Sequence, residues 1–340
     1  LGDAPKTKVV DPEAYALYLQ ARHFGNLGSQ TGNQKAAELL QQALEIAPDF
    51  SAAWSELGRN LQNSISRGQR DREEVYLKSK EAQDKALELD PENAVAYSRL
   101  GFDNLYFDGD LSESAKYFQK ALSLEPGNAI VLANAASLAM TLGRIKQAVL
   151  LRELAHQLDP LNSAVAFGLG WSYLVSEQLD ESEAILRKAL LLSPGRPVTR
   201  GAIVRVLIRK DDLSNPQEIE DLIAQEPYEP VRLTATVGYH YRQGNMPESD
   251  AALEALVEKF QDSSGGLIAL AYSIRGDTDK AIEWLQRTIE NEGPQAFVTT
   301  RFAPEFKVLH DDPRWQELLT STGLSEQQLA AIKFEFELPD

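Results

Sequence analysis

The residues that most often carry out catalysis or bind metals are few and scattered in this sequence. The four histidines, His23, His156, His240 and His310, are widely separated, and the chain contains no cysteine. The H-E-x-x-H zinc motif, the G-x-S-x-G motif of hydrolases and the G-x-x-x-x-G-K-[ST] phosphate loop are all missing. The residue types therefore predict no catalytic residues, no cofactor and no metal site.

Two other features resemble sites but have simpler interpretations. Gly168-Leu169-Gly170 is rich in glycine, yet the surrounding residues predict a helix, so we interpret both glycines as contact points between helices. The carboxylate pairs Asp211-Asp212 and Asp311-Asp312 lie at predicted turns or helix starts. A carboxylate there favours the positive end of the following helix, so we expect capping rather than cation binding.

Composition narrows the possible partners. The 340 residues include 51 acidic and 34 basic ones, a net charge of −17. Such a chain is a poor candidate for general binding to nucleic acid or to an anionic membrane surface, which both need basic residues. No apolar run approaches the roughly 18 residues needed to cross a bilayer. The chain starts at Leu1 rather than Met, so we interpret it as a fragment or processed form, from which membrane anchors or partner domains could have been removed.

An internal repeat predicts the helices that would position a site. The segments ALEIAP, ALELDP, ALSLEP, AHQLDP and ALLLSP end at Pro48, Pro91, Pro126, Pro160 and Pro194. The intervals are 43, 35, 34 and 34 residues. A step near 34 indicates a unit of two helices, ended by a proline that cannot continue a helix.

Each unit also has the side chains that two packed helices need. A small residue in the first helix allows the second helix to approach closely, as at Gly58, Gly101 and Gly170. The second helix shows small, large and small residues on one face, as in Ser114, Phe118 and Ala121 or Ser182, Leu186 and Ala189. Turns are predicted between them at Asp108-Gly109-Asp110 and Leu142-Gly143-Arg144.

These residues resemble the tetratricopeptide repeat, whose W-x2-L-G-x2-Y…A-x3-F…P pattern is matched most fully by residues 163–194. The resemblance implies an all-α, right-handed superhelix of about eight helix pairs with a C-terminal helical cap. We predict a linker over residues 1–12, the solenoid over 13–300, and the cap with an acidic tail over 301–340.

Three irregular segments carry separate expectations. The loop of the first pair is predicted at Gly25 to Gly32, longer than usual. The nine extra residues of the second unit, around Ser64 to Glu74, are interpreted as a solvated helix extension rather than a docking loop. The tail FEFELPD, residues 334–340, is expected to pack along its own final helix or to be disordered; insertion into a neighbouring molecule is the alternative.

A narrower resemblance comes from the two ends of the chain. The stretches DPEAYALYLQARHF, AAELLQQALEIAPDFSAAWSELG and PEFKVLHDDPRWQELLTSTGL resemble the C-terminal tetratricopeptide region of bacterial multidomain regulators. In that family the repeats follow a winged-helix DNA-binding domain or a class III adenylate cyclase domain, often with a membrane segment between. The resemblance implies a non-catalytic sensory or interaction module. A cysteine-free chain suits cytoplasm and periplasm equally, and the resemblance slightly favours the periplasm.

Tetratricopeptide solenoids usually bind partners in the groove lined by their first helices. The groove residues are predicted one step past the packing positions: Arg59, Phe102, Tyr106, Asn134, Phe167, Trp171, Arg205 and Arg209, together with Ser55, Gln62, Met140 and Leu174. Arginine and aromatic residues often anchor interfaces. We therefore expect a protein or peptide segment with apolar anchors and some acidic side chains.

Several alternatives stay open at this point. Only Asn134 resembles the Lys and Asn set of the carboxylate clamp that grips chaperone C-termini, so we do not expect that activity. A small-molecule sensor, or the accessory domain of an enzyme whose catalytic domain is absent from this chain, would use the same fold. The oligomeric state is left open.

Overall fold

The computed structural model describes residues 10–65 and 72–337. Sixteen helices form eight consecutive antiparallel pairs, as predicted. The first four pairs are α1 (Pro12–Asn26) with α2 (Gln30–Ile46), α3 (Ser51–Ile65) with α4 (Arg72–Leu89), α5 (Ala94–Asp103) with α6 (Leu111–Leu124), and α7 (Ala129–Thr141) with α8 (Ile145–Leu158). A π-helical turn, Asn104–Asp108, continues α5.

The other four pairs are α9 (Ser163–Val175) with α10 (Leu179–Leu192), α11 (Thr199–Arg209) with α12 (Pro216–Ala224), α13 (Glu229–Gln243) with α14 (Met246–Phe260), and α15 (Gly265–Ile274) with α16 (Thr278–Glu292). Shorter elements follow: α17 (Gln295–Thr300), a 3-10 helix (Pro304–Leu309), α18 (Pro313–Ser321) and α19 (Glu326–Ala330). We call residues 295–330 the cap. None of the described helices is both long and apolar enough to cross a bilayer.

Asparagine begins the first helix of three successive units. The side chains of Asn93, Asn128 and Asn162 accept hydrogen bonds from main-chain N–H groups in the first turns of α5, α7 and α9. These N–H groups have no partner within the helix, so a side-chain cap satisfies them. The proline turn and the asparagine cap together explain why each unit restarts at the same point.

A buried serine joins the two helices of four units. Ser79, Ser114, Ser182 and Ser249 are fully buried and donate to the main-chain carbonyls of Gly58, Gly101, Gly170 and Val237, over 2.7–3.1 Å. The predicted close approach is also present. A Cβ atom placed on Gly170 would lie 2.6 Å from Leu186 Cγ, so a larger residue there would separate the helices.

Two local expectations are wrong. The loop between α1 and α2 spans only residues 27–29, because Gly25 and Asn26 complete α1 and Ser29 caps α2 by accepting from the Gly32 N–H. Asp211-Asp212 does not cap α12, because Asn215 does so. Asp312 does cap α18, and Ser325 forms a capping box with Gln328 at the start of α19. The insertion expected around Ser64 to Glu74 lies largely outside the described residues.

The core shows that the cap packs back against the middle of the solenoid. One continuous cluster of buried apolar residues joins the third, fourth and fifth units to the seventh and eighth units and to the cap. Residues as distant as Leu105 and Phe306, both fully buried, belong to it. In an open solenoid each repeat contacts only its neighbours, so here the cap supplies the additional contacts.

Candidate functional site

The predicted groove residues lie on the first helices of the second to sixth units, α3, α5 with its π-helical turn, α7, α9 and α11, on what we propose is the inner surface of the solenoid. We call this the concave surface. Met140 and Leu174, expected there, are buried in the core instead. The other predicted residues fall into separate groups, because the chain's own terminal segments contact some of them.

In the carboxy-terminal half, the cap covers Arg205. Its Nε donates to Glu305 Oε1 over 3.1 Å, and its Nη2 donates to Glu305 Oε2. The two side chains are only 12% and 11% exposed. Burial alone would raise the pKa of Glu305, but Arg205 lowers this pKa below its usual range. Arg205 and Glu305 thus form a bidentate buried ion pair between α11 and the cap.

Trp171 lies beneath the same ion pair. The guanidinium carbon of Arg205 is 4.9 Å from the centre of the Trp171 ring. The ring is half-buried and packs against two core clusters, and Phe167 is half-buried against one of them. Trp171 therefore has both a packing contact and a cation–π contact.

Lys307 and Arg301 make two more contacts between the cap and the repeats. Arg209 donates to Glu177 over 3.2 Å, and Lys307 of the cap pairs with the same carboxylate. The hydrogen bond from Lys307 lowers the pKa of Glu177. Arg301 donates to the main-chain carbonyls of Leu324, over 3.0 Å, and of Thr141 at the end of α7.

The end of α1 and the loop after it contact the fifth unit and the residues that follow it. Ser163, at the start of α9, donates to the Asn26 carbonyl over 3.0 Å, and Ser193 donates to the Leu27 carbonyl. Arg196 also donates to the Asn26 carbonyl, over 3.2 Å. The first unit and the cap thus both contact the middle of the solenoid.

The amino-terminal half of the concave surface is polar and buried. Arg59 forms an ion pair with Glu56 within α3, with a 2.9 Å bond from Nε to Oε2. Gln62 donates from Nε2 to Asp103 Oδ1 over 2.6 Å. Burial raises the pKa of Asp103 to about 7, although the bond from Gln62 opposes this change.

Arg99 lies beside these groups but binds none of them. It is 9% exposed, and no hydrogen bond or ion pair joins it to another residue in the described part of the chain. Burial lowers the pKa of its guanidinium to about 9. Ser55 Oγ, Gln62 Oε1 and Asp103 Oδ2 are likewise buried without a hydrogen-bond partner. This cluster of α3 and α5 side chains therefore offers both donors and acceptors.

Aromatic side chains lie next to this cluster. The rings of Phe102 and Tyr106 are 4.3 Å apart, and both pack half-buried against the core. Asn134 donates to Ser98 over 2.8 Å. Concave residues of α3, α5 and α7 thus combine apolar rings with hydrogen-bonding groups.

Sequence reasoning missed Glu56, Arg99 and Asp103. It considered positions one step past the packing residues, whereas Glu56 and Arg99 lie three residues before Arg59 and Phe102. Charged residues within otherwise apolar first helices were the available signal. Glu305 had no such signal, because it lies outside the repeats.

The acidic residues and histidines of the described part of the chain are dispersed. They contain no group of three histidine, aspartate or glutamate side chains that could hold a metal ion. His310 stacks on Trp315 at 5.0 Å between ring centres, and His156 Nε2 lies 3.0 Å from Lys188 Nζ.

Comparison with known proteins supports the fold. The tetratricopeptide repeat family matches residues 134–197. A tetratricopeptide repeat protein from Parabacteroides merdae superimposes with a TM-score of 0.50 at 15% identity, covering 74% of this chain and 98% of that one. The human IFIT1 dimer with PPP-AAAA gives a TM-score of 0.53 at 15% identity, covering 76% and 68%.

Two curated relatives match part of the sequence. The human protein O-mannosyl-transferase TMTC3 is 29% identical over 199 residues, which is 54% of this chain and 20% of that protein. The transcriptional regulator HilA of Salmonella typhimurium is 24% identical over 180 residues, or 53% and 26%. The matched region is thus about a quarter or less of these relatives. Residues 134–197 thus match the tetratricopeptide repeat family, and the repeated helix pairs give the described chain the all-α superhelical fold of tetratricopeptide repeat proteins.

Proposed function

We propose that this chain is a non-catalytic module that binds a protein segment on the amino-terminal half of its concave surface. The observation that carries the proposal is Arg99. A buried donor without an acceptor costs free energy, and a carbonyl or carboxylate of a bound segment would remove that cost. Asp103 Oδ2 and Gln62 Oε1 would accept from main-chain N–H groups of the same segment.

The neighbouring side chains support a peptide as the ligand. Phe102 and Tyr106 are half-buried, and rings in that state supply apolar area to an anchor residue. The carboxy-terminal half is a poorer candidate, because Arg205 and Arg209 bind Glu305 and Glu177 of the same chain. A suitable segment combines an acidic residue with apolar anchors.

The wider context is also a proposal. The similarity to HilA and the resemblance of both chain ends support a repeat region of a bacterial multidomain regulator. The similarity to TMTC3 favours a second candidate, the accessory region of a transferase. Sequencing the complete gene distinguishes them: a winged-helix or cyclase domain supports the first, and a transferase domain supports the second.

Arg99→Met is the sharpest test of the binding site. Peptides are selected from a display library on the wild-type chain, and their affinities are then measured for each variant. Methionine keeps the bulk of the side chain but removes the charge, so we expect affinity to fall at least about tenfold with no loss of melting temperature. Arg242→Met is the control, because Arg242 pairs with Asp211 at the surface and is 51% exposed.

Two results would contradict the proposal. Equal peptide affinity in the wild type and Arg99→Met would exclude Arg99 from the site. A large fall in melting temperature without a change in affinity would assign Arg99 a structural role instead.

A further inference from the structure

Beyond the concave surface, residues 332–337 form an extended tail that lies across the solenoid. Ile332, Phe334 and Phe336 alternate with Lys333, Glu335 and Glu337, which are exposed. Phe334 is 1% exposed and its ring lies 4.9 Å from that of Phe336. Successive side chains of an extended segment point to opposite sides, so one apolar side faces the protein. The expectation that the tail packs along its final helix therefore does not describe these contacts.

The solenoid holds this tail through its main chain. The guanidinium of Arg144 donates from Nη1 to the Phe334 carbonyl over 2.6 Å and from Nη2 to the Ile332 carbonyl over 3.0 Å. Gln119 donates to the Glu335 carbonyl over 2.8 Å. These bonds recognise an extended backbone whatever its side chains, and the apolar contacts select residues at alternate positions.

The surface under the tail is separate from the concave surface. Gln119 belongs to α6, and Arg144 lies in the turn between α7 and α8. A cavity of about 390 Å³ adjoins the tail and is lined by Leu111, Val298, Leu324 and Ile332, among others. This site, which we call the rim site, has space for a side chain larger than isoleucine.

We propose that the rim site binds extended segments of partner proteins with apolar residues at alternate positions, and that the tail is its internal occupant. The sequence of the tail indicates the sequence of the partner segment. Such a segment has an aliphatic or aromatic residue at the position of Ile332 and aromatic residues at the positions of Phe334 and Phe336. Because the tail is tethered, its effective concentration at the rim site is in about the millimolar range. A partner must therefore bind more tightly than the tail does, and it gains this affinity by filling the cavity beside Ile332. This proposal is independent of peptide binding at Arg99.

The test uses the full chain and exploits its lack of cysteine. A fluorophore is attached to Glu337→Cys, at an exposed position of the tail. The probe is a synthetic peptide of residues 331–340, AIKFEFELPD, and a version with Trp in place of Ile332. We expect the fluorescence anisotropy to fall as peptide displaces the tail, at lower concentrations for the Trp version.

Matched peptides show which contacts matter. We expect Phe334→Ala in the peptide to weaken displacement at least about tenfold, whereas Glu335→Gln has little effect because only its carbonyl is bound. Arg144→Met in the protein should increase the mobility of the labelled tail before any peptide is added. Arg99→Met should change none of these values, which keeps this result distinct from the concave-site test.

Two results would overturn the proposal. The first is an unchanged anisotropy with either peptide at concentrations up to about a millimolar. The second is a concentration-dependent dimer that disappears when Phe334 is replaced by alanine, because the occupant would then be a second copy of this chain.

Discussion

Two buried arginines on the concave surface have opposite surroundings. Arg205, in the carboxy-terminal half, meets Glu305 of the cap in a bidentate ion pair. Arg99, in the amino-terminal half, has no partner in the described part of the chain. The folded chain thus pairs Arg205 and Arg209 of one half with its own carboxylates, whereas Arg99 in the other half has no carboxylate partner among the described residues. In this protein, the location of the concave groove alone does not identify the part that can accept a partner.

The largest predicted effect is on the paired half. Arg205→Met leaves Glu305 buried without its cation, and loss of one partner of a buried pair costs about 3–5 kcal/mol. Glu305→Leu should cost a similar amount, whereas Arg205→Met combined with Glu305→Leu should cost much less, because neither charge then stays buried. Denaturant unfolding of the four proteins measures these values. Additive losses would show that the two side chains do not act as a pair.

A smaller effect should appear as pH dependence of the unpaired half. Asp103 has a folded-state pKa of about 7, above the ordinary value of about 3.9 in an unfolded chain. The folded state therefore binds more protons between these values. Its free energy of unfolding is highest below about pH 4 and falls as the pH rises to 7, by at most about 1.4 kcal/mol per pH unit.

Asp103→Asn is the control for this prediction, because asparagine can still accept from Gln62 but does not titrate. The variant should lose the slope between pH 4 and 7 that Asp103 contributes. Arg99, Asp108 and Lys80 also act electrostatically on Asp103. The wild type and the Asp103→Asn variant must therefore both keep these three residues. An identical pH profile in the wild type and Asp103→Asn would place the titration elsewhere.

The sequence predicts the contacts between residues that are close together in the chain, but not the contacts between distant residues. Prolines, glycines and small residues repeat at a fixed step, so the helix pairs and their turns could be predicted from this single amino-acid sequence. Glu305 lies 100 residues from Arg205, and Phe334 lies 190 residues from Arg144. Contacts at such distances follow no repeat, so periodicity could not show that the cap covers Arg205 or that the tail crosses α6.

Substitutions of Trp171 test whether its ring packs in the core or is available to bind a partner, and their expected effect is of intermediate size. Its ring joins two core clusters and supports Arg205. Because the ring is only half-buried, Trp171→Ala should cost about 3 kcal/mol, the lower end for such a change. Trp171→Phe should cost about 1 kcal/mol. A loss well below 1 kcal/mol for the alanine variant would instead indicate that Trp171 is available to bind a partner.

The smallest predicted difference concerns local opening within the sixth unit. Its two helices differ: α11 has seven buried residues and is joined to the cap through Arg205, whereas α12 has nine residues and buries only Ile219 and Leu222. A segment with few buried apolar contacts opens at lower free energy. Amide hydrogen exchange should therefore show α12 opening at about 1–2 kcal/mol below α11.

Adding Glu305→Gln to the exchange measurement separates two explanations for the protection of α11. If the cap protects α11, the variant should lower the opening free energy of α11 toward that of α12 and leave α3 and α4, whose described residues do not belong to the core cluster of the cap, unchanged. If packing within the repeats is sufficient, α11 should stay protected in the variant. That second result would show that the ion pair fixes the position of the cap without stabilising the helix beneath it. The carboxy-terminal half would then be covered rather than reinforced, and its groove residues would become accessible whenever the cap opens.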